Sequence, residues 1–158
     1  MTRNRGCGIV KSQVPTPTAT AAALRTLLAL FALRVLGQIL VVAGVAPFLP
    51  PMADWQSGLL PYPLLLASQV AILALFGTIC VQVSSGRGYF VQPQRWLATP
   101  LWIFGWIYAG AMVIRYALLR TDIIPVVFHI VLASFLIVLA RHHRRDQGLG
   151  IRVVLRRR

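Results

Sequence analysis

The sequence predicts an all-α integral membrane protein in which four transmembrane helices pack as an antiparallel bundle. Hydrophobic residues make up 58% of the 158-residue chain, and only 12% of its residues are charged. A soluble domain carries roughly a quarter charged residues. The apolar residues are gathered into four long runs, and each run falls within the range of about 17–25 residues that a helix needs to cross a bilayer.

The runs set the expected domain organisation. Residues 1–23 are basic and then rich in Pro and Thr, which predicts a disordered cytoplasmic tail. Residues 24–141 form the transmembrane domain, and 142–158 form a second basic cytoplasmic tail. Within the domain, helices are expected at about residues 24–48, 62–83, 96–119 and 124–140.

A cleaved signal peptide is the competing interpretation of the first run. Arg34 lies inside that run, and Pro47 directly follows the best small-residue cleavage site. Both features favour a retained helix. The proline-rich segment after this helix carries Trp55 and Tyr62, which are expected in an aromatic belt at the membrane surface.

The basic residues predict the orientation of the helices. Four Lys or Arg residues lie at the start of the chain, two between the second and third runs, and seven after the fourth. The connection after the first run has none, and the one after the third has only Arg120. Because Lys and Arg accumulate on the cytoplasmic side, both termini are expected in the cytoplasm, in a multi-pass protein of the cell inner (plasma) membrane.

The formal net charge of +13 raises the question of a nucleic-acid partner. Nucleic-acid binders are basic and polar, whereas here the cations lie between long apolar runs, so no nucleic-acid partner is expected. Six of the seven basic residues after the fourth run are expected to bind anionic lipid headgroups of the bilayer, at about 1 kcal/mol each. They are Arg141, Arg144, Arg145, Arg156, Arg157 and Arg158.

Polar residues inside the apolar runs are the candidate functional residues, because an ionisable residue in a membrane helix is costly and tends to mark a site. On a helical projection each run carries one polar stripe, and together the stripes predict a polar pocket that opens outward between the helices. The candidate ligand-binding residues are Arg34, Gln38, Tyr62, Gln69, Tyr108, Arg115 and His129. Small residues at four-residue spacing, Ala67 with Ala71 and Gly105 with Ala109, predict close helix approaches.

No acid is available inside the membrane to neutralise the two arginines, since the chain has no Glu and its three Asp fall in predicted loops or tails. A bound anion would neutralise them, and guanidinium groups bind phosphate or carboxylate well. Structural roles compete with this hypothesis. Arg34 and Arg115 could reach the membrane surfaces, Arg115 could pair with Asp122, and the glutamines and His129 could bond neighbouring helices.

Several chemistries are disfavoured. Cys7 and Cys80 form no C-x-x-C pair, so no metal or redox site is expected. Haem is disfavoured because no second helix offers an imidazole opposite His129 or His143. A proton-coupled transporter normally carries an intramembrane carboxylate, and a hydrolase needs a nucleophile beside a base. No cofactor is therefore expected.

The leading functional hypothesis is a non-enzymatic inner-membrane protein, either an accessory subunit of another membrane protein or a binder of an anionic lipid-like ligand. The alternative is a subunit of a quinone-linked membrane oxidoreductase. In that case His129 and a tyrosine would hydrogen-bond the quinone carbonyls.

Overall fold

The computed structural model describes residues 18–55, 61–119 and 123–144. Four helices in these ranges are long and apolar enough to cross a membrane, and a short helix lies between the first two. The predicted fold class, an all-α integral membrane protein with four transmembrane helices, is confirmed. The helices are α1 (Thr18–Val42), α2 (Met52–Trp55), α3 (Tyr62–Ser85), α4 (Arg95–Leu119) and α5 (Ile123–Arg144).

Helix α1 begins and ends six residues before the predicted bounds of 24 and 48. Its end is set by Gly44, which adopts the left-handed conformation with φ of 70°. The N–H of Gly44 donates to the carbonyl of Val41 at 3.1 Å, and that of Val45 to the carbonyl of Leu40 at 3.2 Å. These two bonds form a Schellman motif, which satisfies the last helical carbonyls. The apolar run continues past this cap, so hydropathy alone placed the end too late.

The ends of α3 and α5 also have local causes. Pro61 precedes α3 in an extended conformation, and Gly86 ends it with φ of 65° and an N–H bonded to the carbonyl of Gln82. Helix α5 continues four residues beyond the predicted end at 140. The extra turn carries His142 and His143, which hydrogen-bond the connection between α3 and α4.

The transmembrane helices pack in the order α3–α1–α5–α4, and each neighbouring pair is antiparallel. Helix α2 rests on α1 and α5, while α3 and α4 do not pack along each other within the described residues. The core at the centre joins α3 to α5 through Phe76 and Phe135, whose rings stack with centroids 3.9 Å apart. Leu24, Phe31 and Leu139 belong to the same buried cluster.

Close helix approaches were expected at two pairs of small residues, and the structure shows one of them. A Cβ atom at Gly105 would lie 2.7 Å from Cγ1 of Ile137 and 3.4 Å from the carbonyl oxygen of Ala133. The predicted close approach at Gly105 is therefore confirmed, and it joins α4 to α5. Ala67 and Ala71 are exposed instead of facing another helix, because the packing surface of α3 runs through Gln69 and Phe76.

The two ends of the bundle differ in character. We call the end that carries α2 the α2 end, and the opposite end, formed by the α3–α4 connection and the last turn of α5, the basic end. At the basic end His143 is fully buried, and its Nδ1 accepts the N–H of Gln94 at 3.2 Å. Nε2 of His142 lies 3.3 Å from the carbonyl oxygen of Val91 and donates to it. Both histidines therefore tie the connection to α5.

Basic side chains surround this end. The guanidinium carbon of Arg144 lies 4.9 Å from the ring centroid of Trp102, a cation–π contact. Arg141 and Arg144 are exposed. Four other arginines of the predicted headgroup cluster, Arg145 and Arg156 to Arg158, lie outside the described residues.

Candidate functional site

A cavity of about 270 Å³ lies among the four transmembrane helices near the α2 end. Each transmembrane helix contributes at least one polar side chain to the lining of the cavity, and α2 contributes Trp55. The rest of the lining is apolar. Five of the seven predicted site residues line it, and two do not: Gln38 lies behind Arg34, and Tyr62 lies at the first residue of α3. The polar side chains in the wall are Arg34, Ser68, Gln69, Tyr108, Arg115 and His129.

Arg34 lies eight residues before the end of α1 at Val42, about 12 Å at 1.5 Å per residue. It is only 7% exposed. Its Nη2 donates to the carbonyl oxygen of Trp55 at 3.0 Å, its Nη1 donates to Oε1 of Gln38 at 3.2 Å, and its guanidinium carbon lies 5.3 Å from the ring centroid of Phe128. Its buried Nε has no hydrogen-bond partner among the described residues. Arg34 thus has a structural role, and its Nε is a buried donor that no described residue satisfies.

Gln38 fastens α2 to α1. Its Nε2 donates to the same Trp55 carbonyl at 3.1 Å, and the side chain is fully buried. The last carbonyls of a helix lack partners within the helix, so Arg34 and Gln38 together satisfy one at the end of α2. The indole of Trp55 lies directly against Gly37, where a Cβ atom would come within 2.8 Å of Cη2. The indole Nε1 donates to the carbonyl of Pro50 at 3.0 Å.

Tyr108 and His129 form a hydrogen-bonded pair across α4 and α5. The tyrosine hydroxyl lies 2.5 Å from Nδ1 of the histidine, and the two rings meet edge to face. The ring of Phe104 stacks on Tyr108 with centroids 5.8 Å apart. This pair offers the cavity a polar edge held by two helices.

Gln69 is the most unusual residue of the cavity. It is 3% exposed, and neither its Nε2 nor its Oε1 has a hydrogen-bond partner among the described residues. A buried polar group without a partner costs about 1–3 kcal/mol. Gln69 therefore brings an unmatched donor and an unmatched acceptor to the cavity wall.

Charge in the cavity is unbalanced. Arg34 and Arg115 both line it, whereas Asp54 is the only acidic residue in the described ranges and does not line it. The predicted pairing of Arg115 with Asp122 falls outside the described residues. Ser68 is exposed at the cavity margin, where its hydroxyl donates to the carbonyl of Leu65 at 2.7 Å.

Trp55 belongs to the site, although the sequence predicted it in an aromatic belt. The structure instead places it 8% exposed in the cavity wall. A signal was present in the sequence, since Gly37 lies between Arg34 and Gln38 and leaves room for a ring on that face of α1.

The cavity can supply guanidinium donors, an amide that both donates and accepts, and a Tyr–His pair to one bound group. Such a set can hold an oxygen-bearing anion with several hydrogen bonds. Comparison with protein-family models, with curated proteins and with solved structures finds no match to this chain.

Proposed function

We propose that this protein is a non-enzymatic membrane protein that binds the anionic headgroup of a lipid-like molecule in the cavity at the α2 end. The observation that carries the proposal is the pair Arg34 and Arg115, which line one cavity whose described lining contains no acid. An arginine at the centre of a membrane helix costs about 2.5–3.5 kcal/mol on insertion scales. A phosphate or carboxylate would offset that cost through charge-assisted hydrogen bonds.

The proposal includes the orientation of the bundle. We place the α2 end outside the cytoplasm and the basic end inside, in the cell inner membrane, because the described connection Gly86–Gln94 and the last turn of α5 carry the basic residues. The exposed Arg141 and Arg144 then meet anionic headgroups of the cytoplasmic leaflet. The cavity lies in the opposite half of the membrane.

Arg115 tests the proposal best, because it lines the cavity without the hydrogen bonds that Arg34 makes to the Trp55 carbonyl and Gln38. A hydrogen bond to a charged group is worth about 1.5–3 kcal/mol. Arg115→Leu should therefore lower the affinity for 1-oleoyl-glycerol 3-phosphate at least about tenfold. Native mass spectrometry of the full chain in detergent measures the bound fraction.

The matched control is Arg87→Leu, which removes an exposed arginine at the basic end. It should leave the affinity unchanged. Equal losses for the two variants would assign the binding to net charge, and no loss for Arg115→Leu would reject the cavity as the binding site. The same spectra report any polypeptide that stays bound, which would favour the role of an accessory subunit.

A second candidate function has one observation in its favour. The hydrogen-bonded Tyr108–His129 pair in the cavity wall is a set of groups that can bond quinone carbonyls. A quinone-linked oxidoreductase subunit would co-purify with quinone, detected by its absorbance. Quinone binding would be lost in His129→Leu and kept in Arg115→Leu, whereas the binding of an anionic headgroup should be lost in Arg115→Leu.

A further inference from the structure

We infer that the ligand is an acyl-chain amphiphile whose anionic group stands beside a hydrogen-bond donor, a hydroxyl or an amide N–H, and whose chain leaves the cavity between α3 and α4. The inference rests on the proposed function and names the chemistry that the same cavity selects. Three features of the structure carry it: the unmatched amide of Gln69, the volume of the cavity, and the way its walls are closed.

The amide of Gln69 sets the requirement for a donor. A glutamine side chain has an NH₂ group that donates and a carbonyl oxygen that accepts. Both are buried without a partner among the described residues. A bare carboxylate or phosphate dianion presents only acceptors, so it can satisfy Nε2 but leaves Oε1 unmatched. A headgroup that also carries an O–H or N–H satisfies both atoms of Gln69.

The arginines set the requirement for the anion. The unpartnered Nε of Arg34 and the side chain of Arg115 belong to the same wall as Gln69. One group can therefore meet these cations and the amide together only if its negative oxygens and its donor are a few bonds apart. Glycerol phosphates and N-acyl amino acids share this chemistry.

The volume limits how much of the ligand enters. About 270 Å³ holds roughly nine groups of the size of a water molecule, at ~30 Å³ each. A polar headgroup and the first carbons of a chain fill that space. An acyl chain of membrane length cannot fit as well, so it must pass out through a wall.

The walls leave one direction for the chain. Trp55, 8% exposed and fastened to Arg34 and Gln38, covers the α2 end of the cavity. Helices α1 and α5 pack on each other, as do α5 and α4 and α1 and α3, whereas α3 and α4 do not pack along each other in the described residues. Ser68 of α3 is exposed and Met112 of α4 is half-buried where they line the cavity. The opening therefore faces the hydrocarbon of the bilayer.

The test compares two probes that differ in one donor, 1-oleoyl-glycerol 3-phosphate and the same molecule with its free hydroxyl methylated. Binding to the full chain in detergent micelles is measured by native mass spectrometry. We expect the hydroxylated probe to bind about tenfold more tightly, equal to 1.4 kcal/mol. In Gln69→Leu the two probes should bind equally. Gln82→Leu, a glutamine replacement at the basic end, should keep the tenfold preference.

A third probe tests whether the acyl chain is required for binding. Glycerol 3-phosphate has the headgroup without the chain, and a hundredfold excess should displace less than a tenth of the bound oleoyl probe. Effective displacement would overturn the requirement for a chain. Equal binding of the two oleoyl probes to the wild type would overturn the requirement for a donor, while their loss in Arg115→Leu would leave the proposed function standing. If the wild type bound neither oleoyl probe more tightly than Arg115→Leu does, the proposed function itself would be rejected.

Discussion

Phe135→Ala is expected to lower the free energy of unfolding by about 3–5 kcal/mol, the usual cost of truncating a fully buried phenylalanine. Phe135 is 1% exposed and stacks on Phe76 with centroids 3.9 Å apart. Lipid cannot fill the space left between α3 and α5, because the surrounding core cluster encloses it. The contacts of the ring would therefore be lost without replacement. Titration with SDS in mixed micelles measures the change.

The matched control for Phe135 is Phe48→Ala. Phe48 is 84% exposed in the connection between α1 and α2, and its truncation should change the free energy of unfolding by less than about 1 kcal/mol. Similar losses for both variants would show that the contact between α3 and α5 does not hold the bundle together.

Gln38→Leu and Gln69→Leu make the same chemical change in two buried glutamines, and we expect opposite outcomes. Gln38 makes hydrogen bonds to the Trp55 carbonyl and to Arg34, so its replacement should cost about 2 kcal/mol. Gln69 has no partner among the described residues, so leucine there should leave the stability of the ligand-free protein unchanged or raise it.

Unfolding by SDS, after exchange into lipid-free detergent, measures the free energy of unfolding of both glutamine variants. A loss of stability in Gln69→Leu as large as in Gln38→Leu would mean that Gln69 serves to hold helices together. A loss of ligand affinity without a loss of stability is the behaviour of a binding residue, and of the two glutamines we expect it for Gln69 and not for Gln38.

Much of the fold was predictable because hydropathy and helix length are set by the bilayer. The expected helices at 62–83 and 96–119 agree with α3 and α4 to within two residues. The helical projection also placed Arg34, Gln69 and Tyr108 on inward faces, and the structure puts all three in one cavity wall. A helix of known period fixes which face a residue occupies.

The position of a residue along the helix axis was less predictable than the face of the helix on which it lies. The cap at Gly44 shifts α1 by six residues, about 9 Å along the helix axis. Arg34 therefore lies beside Trp55 near the α2 end, eight residues before the end of α1 instead of the fourteen that the predicted end at 48 implies. Hydropathy does not reveal this cap, because the residues after Gly44 remain apolar, although a glycine followed by Pro47 is a common signal for a helix end.

The four-residue helix α2 could not be read from periodicity, since one turn is too short to show a period. Its place depends on tertiary contacts: the hydrogen bonds of Arg34 and Gln38 to the Trp55 carbonyl and the fit of the indole against Gly37. Gln38 therefore supports the cavity through its hydrogen bonds without lining it. Of the two roles predicted for Gln38, this is the structural one.

The location of the bound headgroup is the central claim, and photocrosslinking measures it most directly. An oleoyl-glycerol phosphate with a diazirine on its first chain carbons, irradiated with the full chain in bilayer nanodiscs, should label peptides that contain Leu65, Ile72 or Met112, which line the cavity. The label should fall at least about tenfold in Arg115→Leu. Labelling spread along the exposed face of α4 at Ile103, Ile107 and Ile114, and unchanged by Arg115→Leu, would contradict the account.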